Sequence, residues 1–247
     1  MAGRSTVTAR VLDVLGAFTA ETPQLSLTEI SRRTALPLTT THRLVGELAA
    51  WGALERAEDG QYRVGLRLFE VGALAPRGLG LRDAAMPYLE DLHEVTRQNV
   101  QLAVLDGAEV VYVERLAARD AVSILTRAGS RMPLHATAVG LSLLAFADPE
   151  LQERVLTAPL RRFTPKTLCD PEKVRRMLAE VRRTGVAISD RQVEMVSQSI
   201  GAPVRGPSGE VVAALSIVVP AEGNPHAYVP AVRAAARGIG RALARSS

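Results

Sequence analysis

Residues 25–64 read LSLTEISRRTALPLTTTHRLVGELAAWGALERAEDGQYRV. Ser26 and Glu29 have the spacing of a capping box, in which each side chain takes the other residue's backbone amide. The short helix that starts there turns Ile30 inward and Arg32 and Arg33 outward. Ala35-Leu36-Pro37 ends it, because the residue before a proline is pushed out of the helical region. A second helix starts at once, capped by Thr39, Thr40 or Thr41. It carries Leu44, Val45, Leu48 and Ala49 and ends near Trp51-Gly52. Residues 53–64 then read as two short strands about Asp59-Gly60, a strong hairpin turn. Upstream, Val11, Leu12, Val14, Leu15 and Phe18 form one apolar helical stripe, closed by Thr22 and Pro23. Helix, helix, turn, helix and hairpin is the outline of a winged helix-turn-helix.

That outline places polar groups where a DNA reader needs them. The second helix of such a motif presents its N-terminal residues to the major groove. Thr39, Thr40, Thr41, His42 and Arg43 sit at that end: hydroxyls suit phosphates or a thymine methyl, and Arg43 suits a guanine edge. The hairpin offers Arg56, Gln61 and Arg63 to backbone or minor groove, and Arg10 can anchor the first helix to a phosphate. Each residue also has a plain reading, the threonines as helix caps and the arginines as solvated surface. The whole arrangement carries more weight than any one of them.

Working outward, residues after Arg63 are mostly helical until Pro76, Gly78 and Gly80 interrupt the pattern, which sets the domain boundary there. The expected organisation is a DNA-binding domain over 1–65, a linker helix over 66–81 and a second domain over 82–247. In the second domain, 82–97 is an amphipathic helix and VQLAVLDGAEVVYVERL (100–116) is two strands about Asp106-Gly107. AVSILTR (121–127) reads as another strand, and 136–147 and 172–184 as helices. SIGAPVRGPSGEVVAALSIVVP (199–220) gives two further strands, and Val229–Leu243 a closing helix. Strands joined by tight hairpins are antiparallel, so the class is α+β with helices on a meander-like sheet.

Composition limits the function classes. The 247 residues are 47% hydrophobic and 23% charged, the balance of a globular protein. No apolar run approaches a membrane span and the N-terminus has no signal core, so a cytoplasmic protein is expected. A single cysteine, Cys169, leaves no disulfide framework and no thiolate zinc cluster. The net charge of +4 is uninformative about DNA. It is spread over both halves, and the basic residues are nearly all arginine, Lys166 and Lys173 being the two lysines.

No catalytic constellation assembles. Nucleophile-elbow, phosphate-loop and zinc-helix motifs are absent. Gly78-Leu79-Gly80 and Gly238-Ile239-Gly240 lack the strand-then-helix context of a dinucleotide site. The histidines are scattered, and neither a metal nor a cofactor is expected. The second domain does offer a small-molecule pocket. Ser189, Ser197, Ser199 and Ser216 lie in or beside strands, and Ser216 interrupts an apolar run (AALSIVV). A buried serine needs a partner, either local backbone or a ligand. His135 and Thr137 open a helix whose free amides favour an anion, or simply cap it.

The chain as a whole resembles the isocitrate-lyase-regulator (IclR) family of bacterial transcription regulators, from about residue 5 to 243. The blocks that carry the resemblance are STVTARVLDVLGAF, residues 25–56, GQYRVGLRLFEVGA, VQLAVLDGAEVVYVERL, RMPLHATAVG and EVRRTGVAISD…SIGAPVRGPSGEVVAALSI. The resemblance implies a winged helix-turn-helix, a linker helix and a GAF-like effector-binding domain with a curved antiparallel sheet. It implies a homodimer or dimer of dimers, joined through the first and linker helices, that binds double-stranded operator DNA. It assigns DNA contacts to Thr39, Thr40, Thr41, His42 and Arg43. It places an effector pocket at Ile124, Ala138, Val139, Ser189, Ser197, Ser199 and Ser216. Three departures are visible. Members commonly read Gly-Lys-Ala where this chain has Gly140-Leu141-Ser142. They carry a Glu-Glu pair and a glycine where it has Arg191–Val196, and a second hydroxyl where it has Val218. These point to an effector less polar than a small keto-acid, or differently oriented.

The expectation is a DNA-binding regulator modulated by a small organic effector, carboxylic or aromatic. Its rivals are an enzyme with an appended DNA-binding domain, using a serine such as Ser216, and an effector-blind DNA binder with a filled pocket. Whether it represses or activates depends on operator position.

Overall fold

The computed structural model describes the chain except residues 1–5, 20, 76–78, 119–120, 123, 125 and 247. The chain divides into two compact units, Met1–Pro76 and Arg77–Ser247.

In the first unit, α1 (Val7–Gly16) is capped by Thr6, whose Oγ1 accepts the Ala9 amide at 3.1 Å. α1 ends at Gly16, short of the expected stop at Thr22-Pro23. Residues 19 and 22 close their own turn through reciprocal backbone bonds, and Arg33 Nη1 donates to the freed Ala17 carbonyl at 2.9 Å. α2 (Leu27–Thr34) has the expected capping box: Ser26 N donates to Glu29 Oε2 at 2.8 Å and Glu29 N to Ser26 Oγ at 3.3 Å. Ala35, at φ 54°, turns the chain into α3 (Leu38–Trp51). Pro37, not a threonine, is the N-cap of α3, so Thr39, Thr40 and Thr41 lie inside its first turns as helical residues.

A three-stranded antiparallel sheet, in order β1-β3-β2, follows from β1 (Gln24–Leu25), β2 (Leu54–Arg56) and β3 (Tyr62–Val64). The sequence reading foresaw the hairpin but not β1. Asp59-Gly60 makes its turn, with Gly60 at φ 81°. Val14, Leu25, Ile30, Leu44, Val45 and Leu48 form the core of this unit. α4 (Leu66–Gly72) ends it, shorter than the expected 66–81 helix; Pro76 and Gly78 lie outside the described residues.

The second unit is a six-stranded antiparallel sheet in order β6-β5-β4-β9-β8-β7. Its strands are β4 (Asn99–Asp106), β5 (Glu109–Leu116), β6 (Arg131–Pro133), β7 (Ala187–Asp190), β8 (Ser197–Arg205) and β9 (Val211–Pro220). Strand alternation sorts the side chains. Val100, Leu102, Val104, Ile200, Ala202, Leu215 and Ile217 share one core with α5 (Leu79–Thr96) and α9 (Val229–Ser246). Ala103, Tyr112, Ala187 and Ala214 share the opposite core with α6 (Ala138–Leu144), α7 (Pro149–Thr157) and α8 (Pro171–Thr184). Both faces are covered, which is why the strands read as near-continuous apolar runs.

The expected strand over 121–127 does not form at its described residues; Ser123 and Leu125 lie outside them. The segment's carbonyls go to side chains instead of a ladder. Asn99 Nδ2 donates to Val122 O at 2.7 Å and Arg115 Nη1 to Thr126 O at 2.9 Å. Among the described residues no helix is long and apolar enough to cross a membrane, and no group of three or more His, Cys, Asp or Glu could hold a metal ion.

Candidate functional site

The first unit presents α3 as a half-exposed helix. Leu44, Val45 and Leu48 face the core, and Thr41, at three, four and seven residues before them, must share their face. It does: Thr41 is fully buried and its Oγ1 donates to Pro37 O at 3.1 Å. The DNA contact expected of Thr41 is therefore corrected; its hydroxyl is spent on its own helix turn. Thr39, His42 and Arg43 are exposed and Thr40 is half-buried. Arg43 Nη1 pairs with Glu47 Oε1 at 2.6 Å.

The hairpin carries Arg56 over the Tyr62 ring at 5.9 Å, and Arg63 bonded to Glu55 Oε2 through Nε at 3.2 Å and Nη2 at 3.1 Å. Glu55 also accepts the first amide of α4, Leu66 N, at 3.0 Å. That bond and Arg63 hold its carboxyl below the usual range. Gln61 is half-buried with its amide on Asp59 Oδ1 at 3.0 Å, and Arg10 is half-buried on α1. Unforeseen from sequence, Arg67 stacks on Trp51 at 4.5 Å and donates to its carbonyl, tying the end of α3 to α4.

In the second unit the sheet register builds a cavity. On the face toward α6, Gln101 stands opposite Ser216, Val218 opposite Ser199, and Ser199 opposite Ser189. Each strand thus contributes a short polar or apolar side chain to one floor. α6 comes close over this floor because Gly201 has no side chain: a Cβ there would lie 2.8 Å from the Ala138 carbonyl. The accessible cavity is about 40 Å³, within about 450 Å³ of non-protein space when the solvent outside is counted. All seven residues expected at an effector pocket, Ile124, Ala138, Val139, Ser189, Ser197, Ser199 and Ser216, line it.

Polar groups inside it form two clusters. Gln101 Nε2 donates to Thr126 Oγ1, while Gln101 Oε1 accepts from Ser216 Oγ at 3.4 Å. Across the cavity, Thr137 Oγ1 accepts the Gly140 amide at 3.0 Å. Tyr112 beside it has its hydroxyl pKa pushed up by burial, against a hydrogen bond with Thr137. Ala138 and Val139 supply first-turn amides, which have no acceptor within their own helix. Ser189 Oγ is taken up locally, donating to Ala136 O at 2.8 Å.

The loop 191–196 forms one wall through Gln192, Val193 and Glu194. Thr164 Oγ1 and Thr167 Oγ1 hold it through the Arg191 and Gln192 carbonyls, both at 2.6 Å. Glu194, in this loop, accepts from Ser197 Oγ at 3.4 Å. No arginine, lysine or histidine lines the cavity among the described residues. Arg115 stands behind the Thr126 wall. Burial and the Arg127 charge lower its pKa while Glu194 raises it. Ser216, the nucleophile that an enzyme reading would use, has an amide oxygen and no base as its partner.

Sequence reading missed Gln101, Tyr112, Thr126, Gln192 and Glu194. Gln101 carries the same signal that drew attention to Ser216, a polar residue interrupting an apolar strand (VQLAVLD). His135 is buried next to this region but outside it, with Nε2 3.0 Å from Arg161 O; burial holds its pKa below the usual value.

Residues 7–58 match the family described as the IclR helix-turn-helix domain, and residues 75–244 the one described as bacterial transcriptional regulator IclR C-terminal. The chain is 33% identical over 210 residues to the HTH-type transcriptional regulator XynR of Escherichia coli, covering 84% of this chain and 83% of that one. It is 32% identical over 237 residues to the HTH-type transcriptional regulator KdgR of Dickeya chrysanthemi, covering 93% and 78%. Among solved structures it is similar to an IclR homolog complexed with 4-hydroxybenzoate from Microbacterium hydrocarbonoxydans, with a TM-score of 0.93, 42% identity and coverage of 98% and 100%. The Thermotoga maritima IclR structure is similar at a TM-score of 0.77 and 26% identity, covering 95% and 97%.

Proposed function

The chain belongs to the IclR family of transcriptional regulators, with a DNA-binding helix-turn-helix and a C-terminal effector domain, and from that premise we propose that a small carboxylic or aromatic acid in the second unit's cavity controls its operator binding. The observation that carries this reading is the cavity itself. Two separated polar clusters, Gln101–Thr126–Ser216 and Tyr112–Thr137 with the α6 amides, flank apolar walls from Ile124, Val139 and Val218. A flat molecule with a polar group at each end fits that pattern, and the relative solved with 4-hydroxybenzoate has such a ligand. A carboxylate suits the amide end, and a hydroxyl suits the glutamine end.

Thr39, Thr40, His42 and Arg43 contact the operator, with Arg56, Gln61 and Arg63 of the hairpin and Arg10 on backbone phosphates. The protein acts in the cytoplasm as a homodimer or dimer of dimers on roughly palindromic sites. Self-association is supported by the apolar surface of α1 and α4, where Leu12 (61%), Leu66 (63%) and Phe69 (64%) are exposed. Effector and DNA are coupled by linkage: a ligand that prefers one conformation shifts the population able to span two half-sites.

The test is a thermal-shift panel of benzoates, hydroxybenzoates and aliphatic acids, followed by operator titration with and without the hits. One acid should raise the melting temperature and change operator affinity. A panel that leaves both unchanged overturns the effector assignment.

A further inference from the structure

A second concavity, far in chemistry from the first, opens on the second unit between β8 and α9. It holds about 990 Å³ of space, open to solvent, and each residue lining it is an arginine, glycine, alanine or proline. The arginines are Arg205 from β8 and Arg233, Arg237 and Arg241 from α9. We propose that this groove binds a small ligand carrying a chain of phosphates, such as a nucleoside di- or triphosphate.

The α9 arginines recur every fourth residue, so they form one row with heads about 6 Å apart along the axis. Like charges at that spacing destabilise a helix. Acidic neighbours would relieve this, yet among the described residues no carboxylate lines the groove, the Glu210 carboxylate lying against Gly206 at its edge. Among the described residues Arg233, Arg237 and Arg241 take part in no ion pair or side-chain hydrogen bond, whereas seven other arginines do pair with carboxylates. The helix dipole accounts for Arg241 near the C-terminus but not for Arg233, in the second turn.

The opposite wall is backbone and small side chains of β8 and the turn after it. The Arg205 side chain is engaged elsewhere, stacking on Phe146 of the opposite core at 4.8 Å and donating from Nη1 to Gly209 O at 2.7 Å, so its backbone is what faces α9. α9 lies close to it because Gly240 has no side chain; a Cβ there would come 2.6 Å from the Arg205 carbonyl. Glycine and alanine elsewhere on the floor leave the space unfilled. A row of free guanidinium groups on α9 beside one small-walled hollow matches phosphate oxygens, which arginine binds through paired hydrogen bonds. About 440 Å³ of the hollow is accessible, in the range of small-molecule sites; a duplex would need a broader face.

The experiment titrates the full chain with inorganic tripolyphosphate at about 150 mM salt by calorimetry. The expected result is one site per chain, at least tenfold weaker in R233Q/R237Q and unchanged in the charge-matched control R154Q/R176Q, whose arginines lie on other helices. Binding of an operator-free duplex, measured in the same variants, should not change. Absence of tripolyphosphate binding, or equal weakening in both variants, overturns the proposal. A loss of duplex binding in R233Q/R237Q also overturns it, by reassigning the groove to the DNA backbone. All four positions are exposed, and circular dichroism melting in each variant separates unfolding from lost binding.

Discussion

Arg43 and Glu47 meet at 2.6 Å on the exposed face of α3, one helical turn apart, with more than half of each side chain in water. An exposed pair at this spacing contributes only about 0.3–0.5 kcal/mol to stability. In the proposed operator complex it can therefore open for a guanine edge at little cost, which leaves Glu47 beside the DNA as a like charge. Arg43→Ala is expected to cost about 1–3 kcal/mol of specific binding while the melting temperature holds. Glu47→Gln should strengthen binding to operator and scrambled duplex alike, because it removes repulsion without adding a base contact. Fluorescence anisotropy against both duplexes checks this; unchanged discrimination in Arg43→Ala sinks the assignment.

Thr41 behaves as a core residue. Thr41→Val keeps its shape and loses the bond to Pro37 O, so stability should fall by about 1 kcal/mol with operator affinity unchanged once the protein is folded. Thr39→Ala should show the reverse, intact stability and weaker binding. If Thr41→Val instead weakens operator binding at full stability, the buried assignment is wrong.

These two threonines show what was legible and what was not. The helix itself was readable from Leu44, Val45 and Leu48, and that period already places Thr41 on their face. Three threonines in a row have no pattern of their own, and reading them as a unit hid the difference between inside and outside. The cavity shows a similar limit. Ser216 stood out because it breaks an apolar strand, and sheet register explains why Ser189 and Ser199 join it. The 121–127 segment misled because its apolar residues alternate as in a strand. Ile124 and Thr126 are indeed buried, but against the cavity, and burial beside a pocket leaves the same alternation as burial in a sheet. Gln192 and Glu194 were out of reach, since a loop's closing contacts, here Thr164 and Thr167, lie far away in sequence.

Gln101 separates the effector reading from a purely structural polar cluster. Gln101→Leu has similar volume and leaves the Thr126 and Ser216 hydroxyls facing the cavity without their shared partner. For an acid found to raise the melting temperature, affinity should drop at least tenfold and the thermal gain should shrink with it. Operator binding without ligand should stay at the wild-type level. An unchanged thermal gain would place the ligand elsewhere.

His135 makes stability depend on pH with a definite sign. It is 2% exposed, and burial depresses its pKa in the folded chain below the unfolded value of about 6.5. Below about pH 6.5 the unfolded chain therefore binds the proton more readily than the folded one. The stability that His135 confers is complete above that pH and is lost as pH falls from 6.5 toward the folded pKa. His135→Gln can keep a donor for Arg161 O and removes the titration. Melting temperatures between pH 8 and pH 5 should fall more steeply in the wild type than in the variant, with the divergence starting near pH 6.5. Parallel curves would mean that His135 takes up its proton in the folded state without penalty, contrary to its burial.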